Sequence, residues 1–460
     1  MIRERLAVAA AAMGGTLLGA DLEFGGVSTD SRTAGGGVLF FALRGERFDG
    51  HAFVAEAARR GASAAVVERP VADAALAQVV VADPLAALAA LAAHWRRRLS
   101  ATVVAVAGSN GKTTTRALLQ AVLTQAGATG GTRGNLNNEV GLPLSVLALD
   151  PALDFAVLEL GEGRPGDVAE IARVAGPDVA VVTNVGPAHL ERLGSLEGAA
   201  RTLAGAYQEL GHGGIGVVNA DDAFAPLFRA ALDGRSRIEF GLAADAAVRA
   251  EALEIDGRQS RFTLVTPSGS AAVELPVPGR HNVMNALAAA ACAHALGIGP
   301  GAAARALAGA HGVAGRLTRH ESPAGWILVD DTYNANPAST MAGIAALAAL
   351  GGEGWLALGD MRELGAQAAE LHAEVGRFAR EQGLSRLFAV GPLAAHAAAA
   401  FGARARVCPD RESLARELAT ALAPGVRVLV KGSRGSAMDE VVDGVLAAHG
   451  LPHRGGAHAA

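Results

Sequence analysis

The segment Val103-Val104-Ala105-Val106-Ala107-Gly108-Ser109-Asn110-Gly111-Lys112-Thr113-Thr114-Thr115 (VVAVAGSNGKTTT) decides how the rest of the chain is read. Its unbroken apolar run predicts a buried strand. The Gly/Ser/Asn turn and the Lys-Thr pair then open onto "TRALLQAVLTQAG", whose apolar spacing is helical. Strand, glycine-rich turn and helix together are the setting of a phosphate loop, in which backbone N–H groups and the helix N-terminus cradle phosphate oxygens. Gly108, Ser109, Asn110, Gly111, Lys112, Thr113 and Thr114 are therefore the candidate phosphate-binding residues. Lys112 would reach the β- and γ-phosphates, and Thr113 would hold Mg²⁺. The common G-x-x-x-x-G-K-[ST] spacing would put a glycine where Val106 stands, so this loop is a shortened form.

Lysine usage singles out the same place. Of 40 basic residues, only Lys112 and Lys431 are lysines; the others are arginines. An alanine-, glycine- and arginine-rich composition fits a GC-rich genome, and lysines that survive such a bias mark positions where a compact ammonium is wanted. Metal ligands beside the loop are sought at strand ends, where open α/β sheets place their ligands. Glu159 ends "FAVLELG", and His189 follows "VAVVTNVGPAHL". Each taken alone is as readily structural. Together beside one phosphate loop they read as catalytic and metal-binding.

Composition bounds the rest. The chain has 460 residues, is 51% hydrophobic and 18% charged, and carries a formal net charge of −5. This is a packed globular chain without the basic footprint of nucleic-acid binding. Cys292 and Cys408 lie far apart without metal-ligand spacing, which fits a reduced, cytoplasmic setting. No apolar run reaches the roughly 18 residues of a membrane span free of charge or proline. The first residues, "MIRERLAVAAAAMGG", read as a helix opening the first domain rather than as a signal peptide.

Along the chain, "GVLFFAL" and "SAAVVE" read as strands flanking the helix "HAFVAEAARRGA", and "PLAALAALAAHWRRRL" as a helix with cations at its C-terminal end. "FAVLEL", "VAVVTNV" and "GIGVVNA" continue a βα pattern after the phosphate loop. "WILVDD", "GWLALG", "RLFAV" and "VRVLVKG" form a second such unit. Helices between mostly apolar strands predict parallel sheets. The fold class is α/β in three domains: a small N-terminal α/β domain (1–99), a central P-loop ATPase-like parallel-sheet domain (100–312) and a C-terminal Rossmann-like α/β domain (313–460).

Beyond this local reading, "GSNGKTT", "LELG", "TNVGPAHLERLGSLEG", "PGRHNVMNALAAAA", "GRL", "DDTYNANP", "LGDMRELG" and "VKGSRGSAMDEVV" resemble the Mur ligases of peptidoglycan synthesis. "VSTDSR", "LFFALRGERFDGHAF" and "GNLNNEVGLP" extend the likeness to nearly the whole chain. The short loop is shared with folylpolyglutamate synthases; "DDTYNANP", "GNLNNE" and "KGSR" point to the D-Ala-D-Ala-adding branch. The resemblance implies ATP and Mg²⁺ as cofactors, and a UDP-N-acetylmuramoyl-tripeptide and D-alanyl-D-alanine as substrates. It implies no membrane span, and a monomer. ATP would convert the tripeptide carboxylate into an acyl phosphate that the dipeptide amine attacks.

By the same likeness, Thr113 and Glu159 would hold one Mg²⁺ and His189 a second. Asn282 and Asn285 would lie near the adenine, with a helix N-cap as the plain alternative for Asn282. Arg316 would reach the γ-phosphate. Asp331, Tyr333 and Asn336 would meet the ribose and nucleotide, although Asp330 or Asp331 could equally cap the following turn. Ser28, Asp30, Arg32 and the segment "RGERFDGH" would face the uridine and its diphosphate, Lys431, Ser433 and Arg434 would receive the dipeptide, and Asn137 and Asn138 count among the substrate residues.

Two departures stand out. Relatives read E-x-G-x-N where this chain has Glu159-Leu160-Gly161-Glu162-Gly163, so Gly163 replaces the asparagine. Relatives also carry a CO₂-carbamylated lysine in the helix after "GSLEG", with a glutamate two residues on; here the positions hold Leu203 and Gly205. A nucleotide-binding protein that has lost catalysis is the rival reading those departures leave open.

Overall fold

The computed structural model describes residues 1–45, 48–310 and 312–452. Besides a two-stranded antiparallel pair, Arg3–Arg5 with Glu23–Gly25, three larger sheets flanked by helices follow one another along the chain. The first has five strands in the spatial order Thr16–Leu18, Ala77–Val80, Ala64–Val67, Leu39–Phe41, Val27–Ser28; only its Thr16–Leu18 edge is antiparallel. The helix Pro84–Arg96 leads out of it. Its start is set by the Asp83 carboxylate, which accepts from Leu85 N, and by Pro84 in the first turn.

The central sheet has nine strands. The phosphate-loop strand Thr102–Ala107 lies between Phe155–Glu159 and Val179–Val182, and all three are parallel. Alternate residues of this strand go to different cores. Val103, Ala105 and Ala107 pack with the helices Pro84–Arg96, Asp167–Ala175 and Leu196–Gln208. Val104 and Val106 pack with Lys112–Leu123 and Arg280–Ala295. A strand buried on both faces is why the sequence there is apolar without alternation. From this strand the chain moves to one side for its next strands, Thr129–Gly131 and Phe155–Glu159, and to the other for Val179–Val182. The loop after Ala107 thus sits at a topological switch point, where such sheets open a crevice.

The far edge corrects the expectation of a purely parallel sheet. Val248–Ile255, Ser260–Thr266 and Gly269–Leu275 form an antiparallel meander. One face of it is buried (Val248, Ala250, Phe262, Leu264, Val273, Leu275) and the other solvated, as antiparallel edges allow. The third sheet runs Thr318–Glu321, Ile327–Asp331, Val426–Lys431, Glu353–Gly359, Arg386–Val390, Ala405–Cys408, parallel except for the first strand. Among the described residues no helix is long and apolar enough to cross a membrane.

Candidate active site

Two glycines let the phosphate loop fit its surroundings. Gly108 has φ +133°, and a Cβ there would lie 2.0 Å from Thr183 Oγ1. Gly111 has φ +83°, and its Cβ would lie 2.2 Å from Asn285 Oδ1. Side chains following the Val179–Val182 strand then clamp the loop. Thr183 Oγ1 donates to Asn110 O at 2.6 Å, Asn184 Nδ2 donates to the same oxygen at 3.0 Å, and Asn110 N donates to Asn184 Oδ1 at 3.1 Å. The loop is pre-formed, and Lys112 Nζ rests on Gly108 O.

Glu159 is 1% exposed at the end of its strand. Its Oε1 accepts from Arg116 Nε at 2.6 Å and its Oε2 from Thr113 Oγ1 at 3.3 Å. A buried hydroxyl and carboxylate side by side at a phosphate loop form a hard-oxygen donor set that fits Mg²⁺. His189, at φ +53°, places Nδ1 2.5 Å from Glu363 Oε2. A carboxylate on Nδ1 orients the ring and leaves Nε2 as the nitrogen free to ligate. Glu363 belongs to the C-terminal unit, so this contact also joins the two units. A second junction is Asn336 Nδ2, which donates to Asn110 Oδ1 at 2.8 Å.

Two adjoining cavities meet at Arg316. The smaller, about 330 Å³, is lined by Asn110, Gly111, Asn282, Asn285, Asp331 and Lys431, with His281 among them. The larger, about 610 Å³, is lined from the central unit by Lys112, Thr113, Asn137, Asn138, Glu159, Glu162 and His189, and from the C-terminal unit by Tyr333, Arg362, Ser433 and Arg434. The Arg316 guanidinium stacks 4.3 Å above the Tyr333 ring.

Several expected roles change on inspection. Asn282 is not an N-cap: Gly279 caps the helix Arg280–Ala295, and Asn282 Nδ2 donates to Pro278 O at 2.8 Å. Asp330 caps the next turn through Thr332 N and Oγ1, whereas Asp331 pairs with Lys431 Nζ at 2.6 Å. Lys431, expected at the dipeptide, is thus engaged by Asp331 in this structure. It is 1% exposed, already paired, and on the smaller cavity. Burial lowers its pKa and the Asp331 carboxylate pulls it back up. Ser433 is also committed: its hydroxyl donates to Ala335 O at 3.1 Å and accepts from Arg362 N at 2.8 Å. Asn336 caps the helix Pro337–Ala349 in a capping box with Ser339, besides reaching Asn110. Asn138 holds Gly141 N at 2.8 Å.

Ser28, Asp30 and Arg32 line neither cavity. They form one turn, with Ser28 Oγ on Asp30 O and Arg32 bound to the Asp30 carboxylate at 2.7 Å. Within "RGERFDGH", Glu46 and Arg47 lie outside the described residues. Leu203 is fully buried in a hydrophobic core, and a Cβ on Gly205 would lie 2.7 Å from Ala169 N. The helix Leu196–Gln208 thus packs tightly at the two positions where the resemblance would put ionisable side chains.

Sequence reading missed three residues of the cleft. His281 lines the smaller cavity, and desolvation there lowers its pKa. Arg362 faces the larger one. Glu162 is 6% exposed; burial pushes its carboxyl above the ordinary range, opposed chiefly by the Lys112 charge.

A shortened phosphate loop at the switch point of one sheet, with a second α/β unit closing over it, defines a P-loop nucleotide-binding protein whose site is shared between two units. Its relatives narrow the class. Family models described as "Mur ligase family, catalytic domain", "Mur ligase middle domain" and "Mur ligase, glutamate ligase domain" match residues 23–96, 106–293 and 315–434. The UDP-N-acetylmuramoyl-tripeptide–D-alanyl-D-alanine ligase of Escherichia coli (strain K12) is 39% identical over 94% of this chain and 95% of its own. A crystal structure of MurF from Acinetobacter baumannii superposes with a TM-score of 0.92 at 34% identity, covering 97% of this chain and 99% of that one. MurF ligase from Thermotoga maritima in complex with ADP matches with a TM-score of 0.83 at 30% identity, over 92% and 98% of the two chains. The chain belongs to the Mur ligase family: it is an ATP-dependent, ADP-forming ligase of C–N bonds.

Proposed function

We propose that this enzyme joins the free carboxylate of a UDP-N-acetylmuramoyl-tripeptide to the amine of D-alanyl-D-alanine, giving the UDP-muramoyl-pentapeptide. One observation carries the reading: the larger cavity brings Lys112 and Thr113 of the central unit together with Arg434 of the C-terminal unit, and it shares Arg316 with the smaller cavity. The relatives' names supply the substrates.

A carboxylate is a poor acyl donor because oxide would have to leave. Attack of the carboxylate oxygen on the γ-phosphorus forms an acyl phosphate and releases ADP. The dipeptide amine then adds to the acyl carbon. Collapse of the tetrahedral intermediate expels phosphate and leaves the amide, the amine having lost a proton. The protein's part is to position the reactants and neutralise charge. Lys112 and Arg316 draw off charge from the phosphates. Asn282, Asn285 and Asp331 hold the nucleoside. Arg434, exposed on the cavity wall, takes the dipeptide's terminal carboxylate. Thr113, Glu159 and His189 are the residues that would hold Mg²⁺, which when bound screens the phosphate charge.

The three units are assigned as domains at 1–99 (UDP substrate), 100–312 (ATP) and 313–460 (nucleotide and dipeptide). A monomeric cytoplasmic enzyme is the form we expect. Release of ADP with UDP-muramoyl-tripeptide, with and without D-Ala-D-Ala, tests the proposal. Single amino acids and a folate–glutamate pair serve as competing substrates. Turnover with one of these alone would replace the proposed substrates, and nucleotide binding without ADP release would favour a regulatory binder.

A further inference from the structure

Glu162 is a carboxylate aimed into a phosphate-binding cleft. It lines the larger cavity, is 6% exposed, and among the described residues neither oxygen has a partner at full hydrogen-bond geometry. The Ser109 hydroxyl, likewise buried, is the polar side chain beside it. Its place is fixed by the sheet: Leu160 N donates to Val106 O at 2.9 Å and Gly161 N to Asn137 O at 2.8 Å. A buried carboxylate left without partners is costly, so native chains supply one or use the group.

The neighbouring acids are already engaged. Glu159 holds Arg116 and Thr113, one Asp167 oxygen accepts from Arg164 N at 2.9 Å, and Glu363 holds His189. Lys112 faces Glu162, but it rests on the loop and is committed to phosphate. Phosphate and acyl phosphate oxygens are anionic and would be repelled by this carboxylate unless a cation lay between them. His189 lines the same cavity with Nδ1 already taken.

We infer that Glu162, together with His189 Nε2, ligates a divalent cation on the acyl-phosphate side of the cleft, apart from the ion assigned to Thr113 and Glu159. The inference rests on the ligase reading above. Among the described residues no three His, Cys, Asp or Glu side chains form a ready-made metal centre. The remaining positions are therefore filled by phosphate, acyl and water oxygens, as is usual for a Mg²⁺-like ion. The helix Leu196–Gln208 offers no anion there, because Leu203 is core and Gly205 abuts Ala169. The charge comes instead from Glu162, three residues past the end of the Phe155–Glu159 strand.

The test counts ions without turnover. Free Mn²⁺ is followed by electron paramagnetic resonance as it is titrated into the full chain loaded with AMP-PNP, with and without UDP-muramoyl-tripeptide. Wild type should take up two Mn²⁺ in at least one condition. Glu162→Gln should keep the tighter ion at unchanged affinity and weaken the other by about tenfold or more. Glu162→Asp, which retains the charge, should fall between them. Two ions of wild-type affinity in a folded Glu162→Gln chain would overturn the inference, as would a single ion in wild type under both conditions. A chain that binds both ions yet ignores D-Ala-D-Ala would sink the substrate reading and leave this one standing.

Discussion

Lys431 and Arg434 stand three positions apart and do opposite work. Lys431 closes the strand Val426–Lys431 with its ammonium 2.6 Å from Asp331, both buried. Removing it with Lys431→Met strands the Asp331 carboxylate, a loss of about 3–5 kcal/mol of stability. In the surviving protein the KM for ATP should rise while that for D-Ala-D-Ala holds. Arg434→Ala should do the reverse, with thermal stability unchanged. Loss of one charge-assisted contact costs about 1.5–3 kcal/mol, so the dipeptide KM should rise roughly tenfold to a hundredfold. A rise in the ATP KM alone would move Arg434 to the nucleotide. Lys112→Ala completes the residue-scale set. Its ammonium donates to the loop's own Gly108 carbonyl, so the variant should unfold within about 1 kcal/mol of wild type and release no ADP. Wild-type turnover there would remove Lys112 from the chemistry.

At the scale of elements, the turn that carries Glu363 to His189 depends on a buried histidine. His372, in the helix Ala368–Glu381, accepts from Met361 N through Nε2 at 2.9 Å, and its Nδ1 lies 2.6 Å from Ala368 O. Burial holds its pKa below 6.5, against a smaller upward pull from the Ala368 carbonyl. The folded ring stays neutral while the unfolded one gains a proton near its ordinary value of 6.5. This contribution is therefore fully present above about pH 6.5 and is lost as the pH falls towards the folded pKa, by at most about 1.4 kcal/mol per pH unit. Denaturant unfolding between pH 7 and 5 should show wild type losing more stability than His372→Gln; equal slopes would refute the assignment. No local sequence pattern announces this role, and the same holds elsewhere. The strands flanking the phosphate loop are legible because burial on both faces makes them continuously apolar. The meander Val248–Leu275 is not, because its residues alternate with Arg249, Glu251, Arg261 and Glu274 and pass for surface loops. The phosphate loop is legible because its chemistry is local. Glu162 sits in "GEGRPGD", which reads as a solvated turn until the fold buries it, and Lys431 reads as a substrate cation until the neighbouring strand places Asp331 against it.

Across the whole molecule, charge is placed sparingly, and this bears on how the cleft is neutralised. The chain has two lysines, and both are spoken for: Lys112 by the phosphate loop and Lys431 by Asp331. The resemblance to other Mur ligases would put a carbamylated lysine on the helix Leu196–Gln208. Here that position is Leu203, with no exposure, while Tyr207 one turn on is also fully buried and donates its hydroxyl to Val217 O at 2.7 Å. The helix is turned inward as a packing element. Arg201, two residues away, is paired with Glu197 on the outer face, and a guanidinium forms no stable carbamate. CO₂ thus has no amine in the cleft to modify without dismantling the phosphate loop or the Asp331 pair. Turnover should be the same in buffer stripped of CO₂ and bicarbonate as in buffer supplemented with either, whereas a relative bearing the lysine should slow on stripping. A bicarbonate-dependent rise in rate would show that a lysine of this chain is being carbamylated. Lys112→Arg would then be expected to abolish that rise along with phosphoryl transfer, tracing the effect to the loop itself.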